Sequence, residues 1–80
     1  MRVEIYTRTE CCLCVEAKAV LARVRVELPF ELHEIDVDSD AELRARFGAE
    51  VPVVFVGGRK AFKYRVDEAA LRRKLQAARP

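Results

Sequence analysis

The sequence lacks tryptophan and contains only three glycines and three prolines among 80 residues. So few chain-breaking residues, together with 51% hydrophobic residues, exclude a disordered chain and indicate a packed core. No apolar run approaches the about 18 residues of a membrane-spanning helix, and the first residues alternate charged and apolar side chains instead of forming a signal core. We therefore expect a single cytoplasmic domain over residues 1–80, without membrane contact.

The chain also lacks a strong excess of either charge. Fifteen Lys and Arg against thirteen Asp and Glu leave a formal net charge of +2. Bases and acids are interleaved along the sequence, whereas nucleic-acid-binding domains collect their basic residues on one face. Nucleic acid is therefore not among the expected partners.

All three cysteines lie within four positions, as Cys11, Cys12 and Cys14. A bridge between Cys11 and Cys14 would close a very short loop, for which the chain-entropy model gives only about 2 kcal/mol of stabilisation. An odd number of clustered thiols, in a sequence that begins without an export signal, is typical of reactive or metal-binding cysteines.

Hydrophobic spacing predicts seven elements in the order β-α-β-α-β-β-α. A right-handed βαβ crossover makes the first two strands parallel, and a Gly-Gly turn makes the last two antiparallel. The fold class is therefore α/β, a mixed four-stranded sheet with helices on its faces. The predicted elements are a strand over the first six residues, a helix from near Cys12 to before Pro29, a strand over Phe30–Val37, a helix between Ser39 and Gly48, strands over Val53–Val56 and Arg59–Lys63, and a helix after Asp67. The alternation of Phe30–Val37 is interrupted at Leu32 and His33, which is consistent with either an edge strand or a bulge.

Several local patterns predict how these elements begin and end. Ser39 and Glu42 fit a capping box at the start of the second helix, and Gly48 suits the left-handed position after its end. Asp67 is expected to cap the last helix. The buried side of that helix is expected to carry Leu71, Leu75 and Ala78.

The thiols lie where the first strand leads into the first helix. Cys11 falls on the loop and Cys14 in the first helical turn, where free backbone N–H groups and the helix dipole favour a thiolate. We therefore predict that Cys11 is the attacking thiol and that Cys14, one turn further in, is the shielded resolving thiol of a redox-active disulfide. Arg8 adds a positive charge upstream.

Cys12 follows Cys11 directly, and a bond between adjacent cysteines would distort the peptide between them. We expect Cys12 to occupy a surface position.

Four segments together resemble a known family: IYTRTECCLC, EIDVDSD, EVPVVFVGG and VDEAALRRKL. Over essentially the whole chain, the sequence is similar to glutaredoxin-like proteins of the thioredoxin superfamily, with the C-x-L-C pattern of one subgroup. The resemblance implies a thioredoxin-like fold and a thiol-disulfide oxidoreductase that needs no cofactor. It also implies a cis bond between Val51 and Pro52 beside the cysteines, which leaves the Val51 backbone free to pair with an extended substrate.

The resemblance further implies partners. Arg8 matches a lysine of glutaredoxins and is expected to contact a substrate carboxylate or the thiolate. The substrates would be protein or small-molecule disulfides, with a cellular thiol reductant, glutathione or a thioredoxin reductase, restoring the pair. Glutathione-using glutaredoxins carry a second Gly-Gly, where this chain has Lys63, Tyr64 and Arg65, so the choice of reductant stays open.

A metal or iron–sulfur binding module is the alternative function, because C-x-x-C thiolates also bind zinc, copper and clusters. A structural zinc site needs four protein ligands, and the second half of such a site is missing. His33, the single histidine, lies far from the cysteines along the sequence. We therefore predict no metal ligands.

Overall fold

A computed structural model describes residues 1–78, and its elements follow the predicted order. The strands and helices are β1 (Arg2–Thr7), α1 (Cys12–Glu27), β2 (Glu31–Asp36), α2 (Ala41–Phe47), β3 (Val53–Val56), β4 (Arg59–Lys63) and α3 (Glu68–Ala78), with a short 3-10 turn over Val37–Ser39 between β2 and α2.

The four strands form one mixed sheet in the order β2-β1-β3-β4. β1 pairs in parallel with β2, and both β1 with β3 and β3 with β4 are antiparallel. Of the two alternatives for β2, the structure shows the edge strand, and the register of β2 with β1 runs without a bulge. The one irregularity in the pairing of these described strands lies between β3 and β4, at Val54 and Phe55.

Helices cover both faces of the sheet. On one face α1 and α3 pack against the strands through a cluster whose buried residues are Val3, Ile5, Ala17, Leu21, Val24, Phe30, Val54, Val56, Leu71 and Leu75. The opposite face carries a smaller cluster, in which Val37, Phe47 and Val53 are buried and Tyr6 packs against them. The rings of Tyr6 and Phe47 have centroids 4.6 Å apart. These two cores confirm the predicted α/β architecture.

The start and end of α2 differ from the prediction. Asp40, not Ser39, caps the helix, because its Oδ1 accepts the N–H groups of Glu42 and Leu43. Ser39 instead ends the 3-10 turn, where its hydroxyl donates to the carbonyl of Asp36. The backbone of Gly48 has a right-handed helical conformation, with φ −55° and ψ −33°, and not the predicted left-handed one. Glycine is required there for space, since a Cβ would lie 2.5 Å from the carbonyl oxygen of Arg44.

The hairpin and α3 otherwise follow their sequence signals. Gly57 and Gly58 have φ values of +57° and +84°, the left-handed pair that a two-residue hairpin turn of type I′ requires. Asp67 caps α3 by accepting the N–H of Ala69. Ala78 is exposed, contrary to the prediction, because the last turn of α3 lies past Leu75 and borders an open surface cleft.

Replacing Leu21 by alanine tests the packing of the main core. Its side chain is 0% exposed, so Leu21→Ala is expected to lower the free energy of unfolding by about 2 to 5 kcal/mol. A domain of this size has about 4 to 12 kcal/mol in total. Val26→Ala on the same helix, where the side chain is 82% exposed, is the control and is expected to change stability by about 0.5 kcal/mol or less. Urea unfolding of the reduced proteins measures both, and equal midpoints for the two variants would contradict this packing.

Candidate active site

Cys11 is the N-cap of α1. Its backbone is extended, with φ −110° and ψ 108°, and its Sγ accepts the N–H of Cys14 at 3.2 Å. A cap side chain normally offers oxygen to this N–H group. Here the helix start directs a donor and its positive dipole end at a sulfur, an arrangement that favours negative charge on that sulfur.

Cys14 lies one turn into the helix and is 2% exposed. Burial, followed by the hydrogen bond to Cys11, raises the pKa of the Cys14 thiol to about 11. The backbone N–H of Arg8 and the charge of Lys18 act in the opposite direction and are outweighed. The site therefore pairs a half-buried sulfur that receives a hydrogen bond with a buried, protonated thiol.

The raised pKa of Cys14 predicts a pH dependence of stability. Since the folded-state pKa of about 11 exceeds the reference value of 9.0, the neutral thiol stabilises the fold fully below pH 9. That contribution, on the order of 3 kcal/mol, is lost as the pH rises from 9 through 11. The free energy of unfolding of the reduced protein is thus expected to fall more steeply between pH 9 and 11 than that of Cys14→Ala. Parallel curves for the two proteins would show that Cys14 is not perturbed.

Cys12 is exposed, as predicted, and all three cysteines are free thiols. It borders a cleft of about 490 Å³ that also contains Cys11 and Cys14. Cys12 lies at the surface of this site and is not bonded to either of the other two sulfurs.

The cleft contains a polar network that sequence reasoning did not identify. Glu34 on β2 accepts hydrogen bonds from the Thr7 hydroxyl and the Lys18 ammonium, both at 3.1 Å. Thr7 ends β1 and Lys18 lies one turn beyond Cys14, so the network borders the buried thiol. The only sequence signal was the position of Lys18 four residues after Cys14; the contact with Glu34 depends on the β1–β2 pairing.

Arg8 also lies at this cleft, but its guanidinium is hydrogen-bonded to Asp38 and Gly48, which lie outside the cleft. Nε and Nη2 donate to the two carboxylate oxygens of Asp38, both at 3.2 Å, and Nη1 donates to the carbonyl of Gly48 at 3.3 Å. The side chain thereby ties the cysteine loop to the 3-10 turn and to the end of α2. A substrate-binding role for Arg8 stays a prediction, and it would require the guanidinium to exchange Asp38 for the substrate.

Val51 and Pro52 lie at the same end of the sheet as the cysteines. Tyr6 pairs with Val53, so the residues before β3 face the end of β1, where the cysteine loop begins. The peptide bond between Val51 and Pro52 is cis, as the resemblance implied. Pro52 is buried and its carbonyl accepts the N–H of Tyr64 at 2.9 Å, whereas the Val51 backbone has no hydrogen-bond partner within residues 1–78.

A second cleft, of about 390 Å³, lies on the other side of the start of α1. Its apolar wall includes Leu13, from the middle of the C-x-L-C segment, and Phe62 from β4. Tyr64 and Arg65 border it in place of the second Gly-Gly discussed above. Tyr64 adopts φ +68°, the left-handed conformation that glycine would take without strain.

Comparison with known proteins matches the sequence to one family over nearly its full length. The family model described as "Glutaredoxin-like domain (DUF836)" matches residues 2–76. The chain belongs to the glutaredoxin-like domain family. The chain is also similar to the "Uncharacterized protein Rv0508" of Mycobacterium tuberculosis, with 42% identity over 76 residues, covering 89% of this chain and 78% of the relative.

Solved structures agree on the fold of this glutaredoxin-like domain. The crystal structure of target protein XcR50 from X. campestris has a TM-score of 0.80 and 32% identity, covering 96% of this chain and 99% of that chain. Fasciola hepatica thioredoxin has a TM-score of 0.65 at 19% identity, covering 98% of this chain and 80% of that chain. The glutaredoxin-like domain therefore has a thioredoxin-like fold.

Two features are absent from residues 1–78. No group of three or more His, Cys, Asp and Glu side chains is placed to hold a metal ion. None of the described helices is both long and apolar enough to cross a membrane.

Proposed function

We propose that this glutaredoxin-like domain is a thiol-disulfide oxidoreductase in which Cys11 attacks and Cys14 resolves. The observation that carries the proposal is the 3.2 Å hydrogen bond from the Cys14 N–H to the Cys11 Sγ, with the Cys14 thiol itself buried behind it. Family membership supports the same reaction class.

The reaction has two exchange steps. The Cys11 thiolate attacks one sulfur of a disulfide, the substrate S–S bond breaks, and the departing thiolate takes a proton from solvent. Cys14 then gives up its proton and attacks the Cys11 sulfur, which releases the second half of the substrate as a thiol. The substrate gains two electrons and two protons, and the protein is left with a Cys11–Cys14 disulfide.

Two groups near Cys11 are proposed to assist the first exchange step by binding the substrate. The backbone N–H and C=O of Val51, which have no hydrogen-bond partner among residues 1–78, are available to an extended substrate segment at the same end of the sheet. Arg8 is proposed to assist by contacting substrate after releasing Asp38. Protein or small-molecule disulfides are the proposed substrates.

Recycling requires a thiol reductant, either glutathione or a thioredoxin reductase. Reduction of insulin and of hydroxyethyl disulfide, each coupled in turn to glutathione with its reductase and to thioredoxin reductase, tests the function and separates the two reductants. The proposal predicts catalytic turnover in at least one coupling. No turnover in either, together with stoichiometric metal in protein purified from rich medium, would contradict it and favour the metal-binding alternative.

A further inference from the structure

The cleft that contains Cys11 and the second cleft, which contains Leu13, each have one more carboxylate than cations, although the whole chain has a formal charge of +2. In the first cleft Glu10, Glu34 and Asp36 stand against Arg8 and Lys18. The second cleft contains Glu16 and Asp67 against Arg65. The surplus of basic residues in the sequence therefore lies away from the thiols.

Ion pairing strengthens this imbalance. Both cations of the first cleft are ion-paired. Arg8 pairs with Asp38 at 3.2 Å, and Lys18 pairs with Glu34 at 3.1 Å. Glu10 and Asp36, by contrast, form no ion pair with any residue in the range 1–78.

The second cleft also contains one more carboxylate than cations, but its cation, Arg65, forms no ion pair within the described residues. Neither Glu16 nor Asp67 is ion-paired within the described part of the chain. Lys63 follows the same hairpin, but its ammonium lies 5.7 Å from the centroid of the Tyr64 ring, and Lys63 borders neither cleft. A disulfide that approaches Cys11 through the first cleft therefore meets Glu10 and Asp36, neither of which has a cationic partner within residues 1–78.

We infer that the thiol site selects disulfides that carry positive charge, such as those flanked by lysine or arginine, over anionic disulfides. The inference rests on the proposed function, whose substrate class it specifies. Fixed charges around a cleft raise the local concentration of oppositely charged substrate and slow the approach of like-charged substrate. Glutathione disulfide, which carries more carboxylates than ammonium groups, belongs to the disfavoured class.

Three small disulfides of similar size isolate charge from shape: cystamine is cationic, hydroxyethyl disulfide is neutral, and 3,3′-dithiodipropionate is anionic. The rate of the first exchange step is measured with reduced protein at low ionic strength. Each rate is divided by that of 2-mercaptoethanol with the same disulfide, which removes differences in intrinsic reactivity. Normalised rates are expected to fall from cystamine to dithiodipropionate by about fivefold or more. In about 0.5 M salt the ratio is expected to approach one, since the Debye length drops to roughly 4 Å.

A pair of charge reversals gives the matched control. Glu10→Lys changes the first cleft, and Glu42→Lys makes the same change in net charge on α2, outside both clefts. Glu10→Lys is expected to reduce the cystamine-to-dithiodipropionate ratio at least about threefold, whereas Glu42→Lys is expected to leave it close to that of the unmodified protein.

The outcomes separate the two proposals. If hydroxyethyl disulfide reacts at Cys11 but the normalised rates are equal or the anionic compound is fastest, the charge selectivity is wrong and the oxidoreductase activity stands. Equal effects of Glu10→Lys and Glu42→Lys would likewise overturn the selectivity. If even the neutral disulfide does not react at Cys11, the oxidoreductase proposal fails, and the selectivity fails with it.

Discussion

Replacing Cys11 by serine is expected to reduce disulfide reduction to the uncatalysed rate. The reaction depends on a thiolate, and a serine hydroxyl at the same N-cap stays protonated near neutral pH. The helix should be unharmed, because serine is a favoured N-cap residue and its oxygen can accept the Cys14 N–H in place of Sγ. Turnover of hydroxyethyl disulfide and the urea midpoint, measured on the same preparation, separate lost chemistry from lost fold.

Cys12→Ser is the matched control for that experiment. The position is adjacent, the substitution is the same, and the Cys12 side chain is exposed. Turnover is expected to stay within about twofold of the unmodified protein, because both thiols that the proposed exchange uses, Cys11 and Cys14, are retained. If Cys12→Ser lowered turnover as much as Cys11→Ser, the assignment of Cys11 as the attacking thiol would be wrong.

Cys14→Ser is expected to stop the reaction halfway. Cys11 and its N-cap geometry remain, so the first exchange step proceeds, but no second thiol releases the substrate. In a single turnover without added thiol, the mixed disulfide between Cys11 and half of hydroxyethyl disulfide should accumulate to nearly one per chain, whereas the unmodified protein should pass through it transiently.

Mass spectrometry of the intact protein and of its peptides detects and locates the adduct. Cys12→Ser, treated identically, should end as the Cys11–Cys14 disulfide without retained substrate. Rapid release of substrate from Cys14→Ser in the absence of thiol would contradict the resolving role of Cys14.

The order of elements and the position of the thiols were predictable from local sequence patterns. Alternation with period 2 identified β1, the stripe including Leu21 identified α1, and Gly57 with Gly58 identified the hairpin turn. Each pattern is set by residues close together in the chain, and the burial of one face follows directly from it. The location of Cys11 and Cys14 at a strand-to-helix junction needed no tertiary information.

The surroundings of the thiols were not predictable in the same way. Arg8 and Asp38 are 30 residues apart in sequence and meet only because β1 and β2 are parallel neighbours. The contact of Lys18 with Glu34 has the same origin. The cap of α2 was assigned to Ser39 although Asp40 follows it, since both residue types cap helices and sequence alone does not separate adjacent candidates.

Selective alkylation of the reduced protein measures most directly the difference in reactivity between the thiols of Cys11 and Cys14. The protein is treated near pH 7 with substoichiometric iodoacetamide, and the modified cysteine is identified by peptide mass spectrometry. The structure predicts that Cys11 is modified first, since its sulfur receives the Cys14 N–H and borders an open cleft, while Cys14 is buried and has its pKa raised to about 11. Cys12 is exposed but its sulfur receives no hydrogen bond within residues 1–78, so it is expected to react after Cys11. Modification of Cys14 before Cys11 would contradict the proposed roles.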